Sequence, residues 1–390
     1  MKRQKIGLIL TGGGARAAYQ VGVLKAIAEF MPYRSHMPFD VVCGTSAGAL
    51  NAVTLAVNAR HFRKGVRFML SIWSNARVSD IYRSDALGVL SNSARWIAGL
   101  LLSVLGSRRL DQVSLLDNRP MRTFLERTLP CELIQAAIDD GLLHALSVTA
   151  SGYGSGHSVT FYQGAASIEP WKRARRVGLP TQISIQHMLA SSAIPFLFPA
   201  VHVNREYFGD GSMRQIAPIS SALHMGAERV LVVGVGHGAS EQDDKRAKID
   251  GYPALAEIAG HALDSIFIDG LEVDLERLHR INATISMMPP DVKGKIKLQH
   301  IEALVITPSQ PLERIAERHA ANLPWPIRLL LRLVGVMRGS GANLVSYLLF
   351  EKHYCRALID LGYQDAFKRR AEILEFFEQG GSPTCNDMPQ

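Results

Sequence analysis

The sequence predicts an α/β fold whose central sheet contains parallel strands. Residues 6–10 form a short apolar run that ends at three glycines, and residues 17–30 then show apolar side chains at helical spacing. Residues 39–43 form a second apolar run, and residues 47–57 form a second helical segment rich in Ala and Leu. A strand, a turn and a helix therefore occur twice in succession, which is typical of parallel strands joined by helices.

Shorter signals extend this pattern along the chain. Further strands are predicted at residues 146–150, 158–162, 229–235 and 303–306. Further helices are predicted at residues 120–127, 185–190, 254–278 and 344–359. The charged stretch 241–250 (EQDDKRAKID) predicts an exposed loop, and it is the best candidate boundary between an N-terminal core and a C-terminal part.

The composition is that of a globular protein, with 47% hydrophobic and 20% charged residues among 390. The net charge of +8 and the isoelectric point of about 9.4 favour an anionic partner, either nucleic acid or an acidic membrane surface. Neither a signal peptide nor a run of roughly 20 apolar residues is evident, so we expect a soluble protein of a reducing compartment. The cysteines are too widely spaced for a disulfide framework or a zinc site: Cys43, Cys131, Cys355 and Cys385.

The segment Gly44-Thr45-Ser46-Ala47-Gly48 matches the G-x-S-x-G pattern of a serine nucleophile. The context fits, because an apolar strand precedes the motif and a helix follows it. A sharp turn between strand and helix lifts such a serine above the sheet, and small neighbours prevent clashes in that turn. The helix N-terminus also offers free amides to a developing oxyanion. Ser46 is therefore the candidate nucleophile, while a plain small-residue turn is the alternative.

The glycine-rich turn Gly12-Gly13-Gly14-Ala15-Arg16 follows the first strand. Consecutive glycines let backbone amides point at an anion, and Arg16 adds a positive charge. The turn suits either an oxyanion hole or a phosphate cradle, since Gly12-x-Gly14-x-x-Ala17 also fits the dinucleotide fingerprint. A dinucleotide site needs an acidic residue at the end of the second strand. This chain has Gly44-Thr45-Ser46 there, which weighs against a nucleotide cofactor.

Two side chains are candidates for the base that takes the serine proton. His237 follows a predicted strand and suits a Ser–His–acid triad by its position. Asp210 lies between Gly209 and Gly211, so its backbone can approach another loop closely. An unperturbed aspartate is a weak base with a pKa of about 3.9, but burial among apolar groups would raise that pKa. The residues by themselves leave both candidates open.

Taken together, these segments resemble the patatin-like phospholipase family. The resemblance rests on the glycine turn, the serine motif, the small-residue stretch 190–195 (ASSAIP) and Asp210-Gly211, in this order and spacing. Residues 115–121 resemble a further family segment. The family usually has Gly or Ala where Ser212 follows Asp-Gly, and often Gly where Ala17 stands. The chain departs from the family pattern at these two positions.

The resemblance implies a three-layer α/β/α sandwich with a mostly parallel central sheet. It implies a catalytic dyad of Ser46 and Asp210 without histidine, and no metal or cofactor. It also implies an oxyanion hole built from the glycine-rich turn, chiefly from its backbone amides, with the members Gly12, Gly13, Gly14, Ala15 and Arg16. The expected activity is hydrolysis of fatty-acyl esters of membrane lipids through an acyl-enzyme.

From this we expect residues 6–222 to form the catalytic domain. Residues 223–380 would form a C-terminal α/β extension packed on the same globule, followed by a disordered tail at 381–390. The expected partners are an acyl lipid and a membrane surface, without nucleic acid, and the expected location is the cytoplasm, including the inner membrane face. Two apolar segments flanked or interrupted by arginine, 95–105 and 324–334, suit either an interfacial helix or the core.

Three other functions stay open at this point. One is a Ser–His–Asp esterase that uses His237 as its base. A second is a nucleotide-binding protein that uses the turn from Gly12 to Ala17. A third is a lipid-binding protein that keeps the fold without catalysis.

Overall fold

The computed structural model describes residues 3–32, 36–89, 91–92, 94, 114–237, 265–266, 269–289, 298–333 and 342–379. The predictions for residues 95–105, 241–250 and 381–390 lie outside the described residues, as does the first part of the helix predicted at 254–278.

Ten strands of the described residues form one sheet. They are β1 (Ile6–Leu10), β2 (Val41–Thr45), β3 (Ala145–Gly152), β4 (Ser158–Gly164), β5 (Trp171–Arg173), β6 (Arg176–Pro180), β7 (Val201–Val203), β8 (Glu206–Asp210), β9 (Arg229–Val233) and β10 (Glu302–Ile306). Their order is β10-β9-β1-β2-β3-β4-β6-β5, and β8 pairs with β3 and β7. The neighbours from β10 to β3 are all parallel, whereas β3 pairs with both β4 and β8 antiparallel.

Helices cover both faces of this sheet. They are α1 (Ala18–Phe30), α2 (Ala47–Val57), α3 (Phe62–Trp73), α4 (Val78–Ile81), α5 (Arg119–Thr128), α6 (Leu133–Asp139), α7 (Ile185–Ser191), α8 (Pro218–His224), α9 (Asp269–Met287), α10 (Leu312–His319), α11 (Trp325–Leu333), α12 (Ala342–Leu348), α13 (Lys352–Lys368) and α14 (Arg370–Gln379). Among the described residues, none of these helices combines the length and the apolar character needed to cross a membrane.

The side chains of β1 show how the three layers are held together. Leu8 and Leu10 pack into a hydrophobic cluster with α1, α2, α3 and α13. Ile9 points to the opposite face and packs into a second cluster with α8 and α9. Successive side chains of a strand point to opposite faces, so a strand buried on both sides is apolar throughout. The predicted α/β/α fold with a mostly parallel central sheet is confirmed.

The long strand β3 has two successive partners along one edge. β2 pairs with its first part, as far as Thr45 opposite Thr149. β8 takes over at the next residue, where Ala150 lies opposite Asp210. The end of β2 and the end of β8 therefore meet at one point of the sheet.

The C-terminal elements are integrated into the same sheet and layers. β9 and β10 extend the parallel sheet beyond β1. On one face, α13 packs against α1, where the phenol of Tyr19 donates a hydrogen bond of 3.1 Å to Asp365. The division of the chain at residues 222 and 223 stays a prediction.

The sequence predicts one helix over residues 344–359, and this prediction is wrong. α12 ends at Leu348 and α13 begins at Lys352. The phenol of Tyr82 donates a hydrogen bond of 2.9 Å to the carbonyl oxygen of Leu348. In a continuous helix that oxygen would accept from residue 352. A contact from a distant segment thus helps to end the helix, and Phe350 lies in the break.

Candidate active site

Ser46 occupies the sharp turn between β2 and α2. Its backbone has φ 53° and ψ −129°, a conformation that costs a non-glycine residue free energy and persists only where the surroundings enforce it. Two glycines make the close packing of the turn possible. A Cβ on Gly44 would lie 2.5 Å from the Cα of Ala49, and a Cβ on Gly48 would lie 2.3 Å from the carbonyl oxygen of Leu10. The strain and the packing match those of a nucleophile elbow.

Asp210 is the hydrogen-bond partner of the serine hydroxyl. Ser46 Oγ donates to Asp210 Oδ2 at 2.5 Å, although the two residues are 164 positions apart in the chain. The register of β3 produces this contact, because Ala150 pairs with Asp210 directly after Thr149 pairs with Thr45. The sheet therefore brings together the two residues that the sequence predicts as a dyad.

Burial gives the Asp210 carboxyl the character of a base. The side chain is fully buried, which raises its pKa from 3.8 to about 6. Hydrogen bonds from Ser46 and from the backbone amide of Ser212, the latter at 2.9 Å, oppose that rise only in part. A carboxylate whose pKa lies near neutrality can both exist in its ionised form and accept a proton.

The stretch 190–195 holds both members of the pair. Ser191 Oγ accepts a hydrogen bond of 2.8 Å from the amide of Ser46 and donates one of 2.6 Å to the carbonyl oxygen of Thr149. The carbonyl oxygen of Ala193 accepts a hydrogen bond of 2.8 Å from the amide of Asp210. The sequence predicts that this stretch lies near a pocket, but it does not indicate the role of Ser191, because a serine in a small-residue run carries no signal of its partner.

The glycine turn lies beside Ser46. Gly12 and Gly13 join β1 to the 3-10 helix Gly14–Ala17, and Gly14 lines the same pocket as Ser46. The first amides of a helix have no partner inside that helix, which leaves those of Gly14 and Ala15 suited to an anion. The amide of Arg16, by contrast, donates to the carbonyl oxygen of Gly13 at 3.1 Å. The oxyanion hole predicted at this turn stays a prediction.

The side chain of Arg16 is bound by residues from the C-terminal third of the chain. It is 2% exposed, Nε donates to Ser346 at 2.7 Å, and the guanidinium lies 4.1 Å from the ring centre of Tyr347. It also donates to Asn343 at 3.1 Å and lies 3.9 Å from a carboxylate oxygen of Glu313. The sequence predicts a positive charge beside an anion site, whereas the structure engages this charge in anchoring the turn.

A network of buried polar side chains is hydrogen-bonded to the backbone just before the glycine turn. The indole of Trp73 donates to Asn51 Oδ1 at 2.8 Å, and Asn51 donates to Gln20 Oε1 at 3.0 Å. Gln20 in turn donates to the carbonyl oxygen of Thr11 at 2.8 Å. This chain of hydrogen bonds links α3, α2 and α1 to the end of β1. Sequence reasoning misses it, since each of its members resembles an ordinary helix residue.

His237 lies on the far side of β1 from the serine. β9, which it follows, is separated from β2 by β1, so the two strands are about 10 Å apart. The Nδ1 atom of His237 lies 2.9 Å from the carbonyl oxygen of Pro308, beyond β10. The structure brings Asp210 to Ser46 and leaves His237 with another partner.

Ser46 lines an apolar pocket. This pocket lies between helical faces of α2, α3 and α5. The residues that line it are Gly14, Ser46, Ala47, Leu50, Asn51, Thr54, Met69, Ile72, Trp73, Ala76, Ile81, Met121, Phe124, Leu125, Leu129, Ser192, Ile194, Phe198 and Phe350. On each of these helices the lining residues recur at helical spacing, so one face of each helix forms a wall.

Two kinds of cofactor site can be sought among the described residues, a metal site and a phosphate site. The described residues contain no group of three His, Cys, Asp or Glu side chains that could hold a metal ion. In the glycine turn, position 13 requires glycine, because a Cβ there would lie 2.4 Å from Val235 Cγ2. Ser46 and an apolar pocket lie next to the turn.

Comparison with known proteins shows which family the chain belongs to. A family model described as patatin-like phospholipase matches residues 8–223, more than half of the chain. The chain belongs to the patatin-like phospholipase family. Ser46, Asp210 and the glycine turn all lie within the matched part, whereas Phe350 lies outside it. Membership in this family supports lipid acyl hydrolase activity.

Curated relatives match over short stretches. Lysophospholipase nte1 of Aspergillus terreus is 45% identical over 56 residues, which are 14% of this chain and 3% of that protein. Neuropathy target esterase sws of Drosophila persimilis is 43% identical over 68 residues, which are 15% of this chain and 4% of that protein. The Drosophila grimshawi protein of the same name gives the same figures. The chain thus matches only a few per cent of the length of these relatives.

Proposed function

We propose that this patatin-like protein is a serine acyl hydrolase that cleaves fatty-acyl esters of membrane lipids. The observation that carries the proposal is the hydrogen bond of 2.5 Å from Ser46 Oγ to the buried carboxylate of Asp210, beside an apolar pocket that Ser46 lines. The relatives' printed names, a lysophospholipase and an esterase, agree with this reaction class.

The proposed reaction has two halves. Asp210 Oδ2 takes the proton of the Ser46 hydroxyl as Ser46 Oγ attacks the ester carbonyl carbon. The tetrahedral intermediate collapses, the C–O bond to the leaving alcohol breaks, and Asp210 returns the proton to that alcohol. Water then attacks the acyl-enzyme, Asp210 accepts a proton from the water, and the fatty acid leaves as Ser46 regains its proton.

The glycine turn would stabilise the charge that develops on the carbonyl oxygen. The amides of Gly14 and Ala15 lie at the start of the 3-10 helix Gly14–Ala17, and Gly14 lines the pocket. Preorganised donors of this type are each worth about 3 kcal/mol in the transition state. Arg16 supports this role indirectly, because its guanidinium fixes the turn against Ser346 and Tyr347.

A single experiment tests this function. The wild type is incubated with mixed phospholipids, lysophospholipids and neutral lipids, and the released products are analysed by mass. A fluorophosphonate reagent is used in parallel, and the labelled peptide is identified. We expect fatty-acid release and labelling of Ser46, with neither in Ser46→Ala. Folded wild type without labelling or release would instead support the non-catalytic lipid-binding alternative. A separate titration with a dinucleotide tests the nucleotide-binding alternative, which binding at micromolar concentration would support.

The activity is expected to depend on pH through Asp210. The base must be ionised to accept the serine proton, and its pKa is raised to about 6 by burial. With a neutral ester, kcat/KM should therefore fall about tenfold per pH unit below the pKa of Asp210 and level off above it. The measurement is the pH profile of kcat/KM for wild type and His237→Ala. The same midpoint is expected in both, and a midpoint that moves in His237→Ala would contradict the assignment.

α11 offers a surface for peripheral contact with a membrane. Ile327 and Leu331 are buried in the core, at 1% and 4% exposure. Trp325 and Leu329, one turn apart, are 61% and 49% exposed, and Arg332 is exposed beside them. One face of the helix thus packs into the core. Another face exposes apolar and basic side chains to solvent, as in helices that bind at a membrane interface.

We therefore expect α11 to contribute to binding of anionic vesicles. Trp325→Ala combined with Leu329→Ser should weaken cosedimentation with phosphatidylglycerol vesicles by about a hundredfold, because each large apolar side chain is worth roughly 1.5–3 kcal/mol when it leaves water. Met287→Ser is the matched control, since Met287 is 81% exposed and ends α9 on the opposite face of the sheet. Equal binding by all three proteins would exclude α11 as a contact.

A further inference from the structure

The residues of α2 that line the apolar pocket lie at increasing distance from Ser46. Ser46, Leu50, Asn51 and Thr54 line it in succession from the N-terminus of the helix. A helix rises about 1.5 Å per residue, so Asn51 lies about 7.5 Å and Thr54 about 12 Å beyond the serine. An acyl chain attached to Ser46 would pass the level of Asn51 before it reached Thr54.

An aromatic pair lies at the level of Asn51. The Trp73 indole is held there by its hydrogen bond of 2.8 Å to Asn51 Oδ1. The ring of Phe350 stacks on Trp73 with 6.1 Å between ring centres and 26° between planes. Both side chains line the pocket. They therefore form part of its wall between the levels of Ser46 and Thr54.

Phe350 comes from a segment outside the part of the chain that the family model matches. This clamp segment, residues 342–351, runs from the start of α12 through the break before α13. It touches the glycine turn, where a Cβ on Gly14 would lie 2.2 Å from the carbonyl oxygen of Tyr347. It also holds Arg16 through Ser346.

The same segment is fixed to the helices that form the pocket. Tyr82 donates to the carbonyl oxygen of Leu348 at 2.9 Å, and the amide of Val78 donates to Glu351 at 3.5 Å. Just beyond it, Arg356 donates to the carbonyl oxygen of Ser74 at 2.8 Å. Phe350 is 7% exposed and lies between these anchors. A side chain fixed from several directions forms a rigid wall rather than an adaptable one.

We propose that Phe350, presented by the clamp segment and stacked on Trp73, is a specificity-determining residue that limits the length of the acyl chain bound at Ser46. This inference rests on the proposed acyl hydrolase function. It predicts that a smaller side chain at 350 favours long acyl chains over short ones and that a larger side chain disfavours them.

The test measures kcat and KM of the full chain for p-nitrophenyl butyrate, octanoate and palmitate. Phe350→Ala should raise the palmitate-to-butyrate ratio of kcat/KM, and Phe350→Trp should lower it, each by about tenfold, as expected for a change of a few methylene-sized groups in an apolar pocket. Phe350→Leu covers the case in which either variant fails to fold, and it should shift the ratio in the direction of Phe350→Ala. Phe367→Ala is the matched control, because Phe367 lies on α13, is 51% exposed and is absent from the pocket lining.

The outcomes separate this inference from the function on which it rests. Opposite shifts of the palmitate-to-butyrate ratio in Phe350→Ala and Phe350→Trp, with the ratio of Phe367→Ala within about twofold of wild type, support it. An unchanged ratio in folded Phe350 variants that still hydrolyse butyrate overturns it and leaves the proposed function intact. A wild type that hydrolyses none of the three esters overturns the proposed function and the inference together.

Discussion

Asp210→Asn is expected to lower kcat/KM for a neutral ester by about a thousandfold or more. Asparagine has nearly the same shape but cannot accept the proton of Ser46, and nothing else is hydrogen-bonded to that hydroxyl among the contacts of the described residues. Ser46→Ala should have an effect of the same size, because it removes the attacking oxygen. The measurement is steady-state hydrolysis of p-nitrophenyl butyrate and of a phospholipid, with folding checked by circular dichroism.

His237→Ala is the control for this prediction. The imidazole of His237 lies beside the carbonyl oxygen of Pro308, and β9, which it follows, is separated from β2 by β1. We therefore expect this variant to keep most of its activity. A severe loss in His237→Ala together with an active Asp210→Asn would falsify the dyad and would favour the Ser–His–Asp alternative.

The same Asp210→Asn substitution is expected to make the protein more stable. Burial raises the pKa of Asp210 from 3.8 to about 6, which means that ionisation opposes folding. Such a shift corresponds to roughly 3 kcal/mol at neutral pH. Asparagine removes this penalty, so its unfolding midpoint should exceed that of wild type by a few degrees above pH 6. Groups that an enzyme needs for activity often lower the stability of the fold in this way.

The difference between the unfolding midpoints of Asp210→Asn and wild type should depend on pH. Below a pH of about 4 the carboxyl is neutral in both folded and unfolded chains, so ionisation adds nothing to the difference. Between about pH 4 and pH 6 the unfolded chain ionises first, and the advantage of the variant should grow; above pH 6 it should stay constant. Ser46→Ala is the matched control, because it is equally inactive but keeps the buried carboxyl. A difference in midpoint that is the same at all pH values would contradict the explanation.

The C-terminal third of the chain shows which features local sequence patterns predict and which depend on tertiary contacts. The apolar run at residues 303–306 predicts a strand, and β10 is found there. The helical pattern at residues 344–359 predicts one helix, but the hydrogen bond from Tyr82 to Leu348 accompanies a break at residues 349–351. Apolar spacing reports which segments are buried, whereas a contact from a distant helix decides where a helix ends.

The sequence by itself determined the α/β class, the first two strand–helix units and the turn that carries Ser46. These features depend on short-range regularities: apolar runs of strand length, helical spacing, and glycines next to a serine between strand and helix. Asp210 is marked by its flanking glycines and by the family resemblance, but its role as partner is not visible in its own segment.

Only the tertiary structure decided which groups surround the serine. The register of β3 places Asp210 directly beyond Thr45, and a shift of one residue would turn the carboxyl to the other face of the sheet. The same holds for Ser191 at the Ser46 amide and for Phe350 in the pocket, which lies 304 positions after Ser46 in the chain. Such contacts arise from sheet register and helix packing, and neither is encoded in any segment of a few residues.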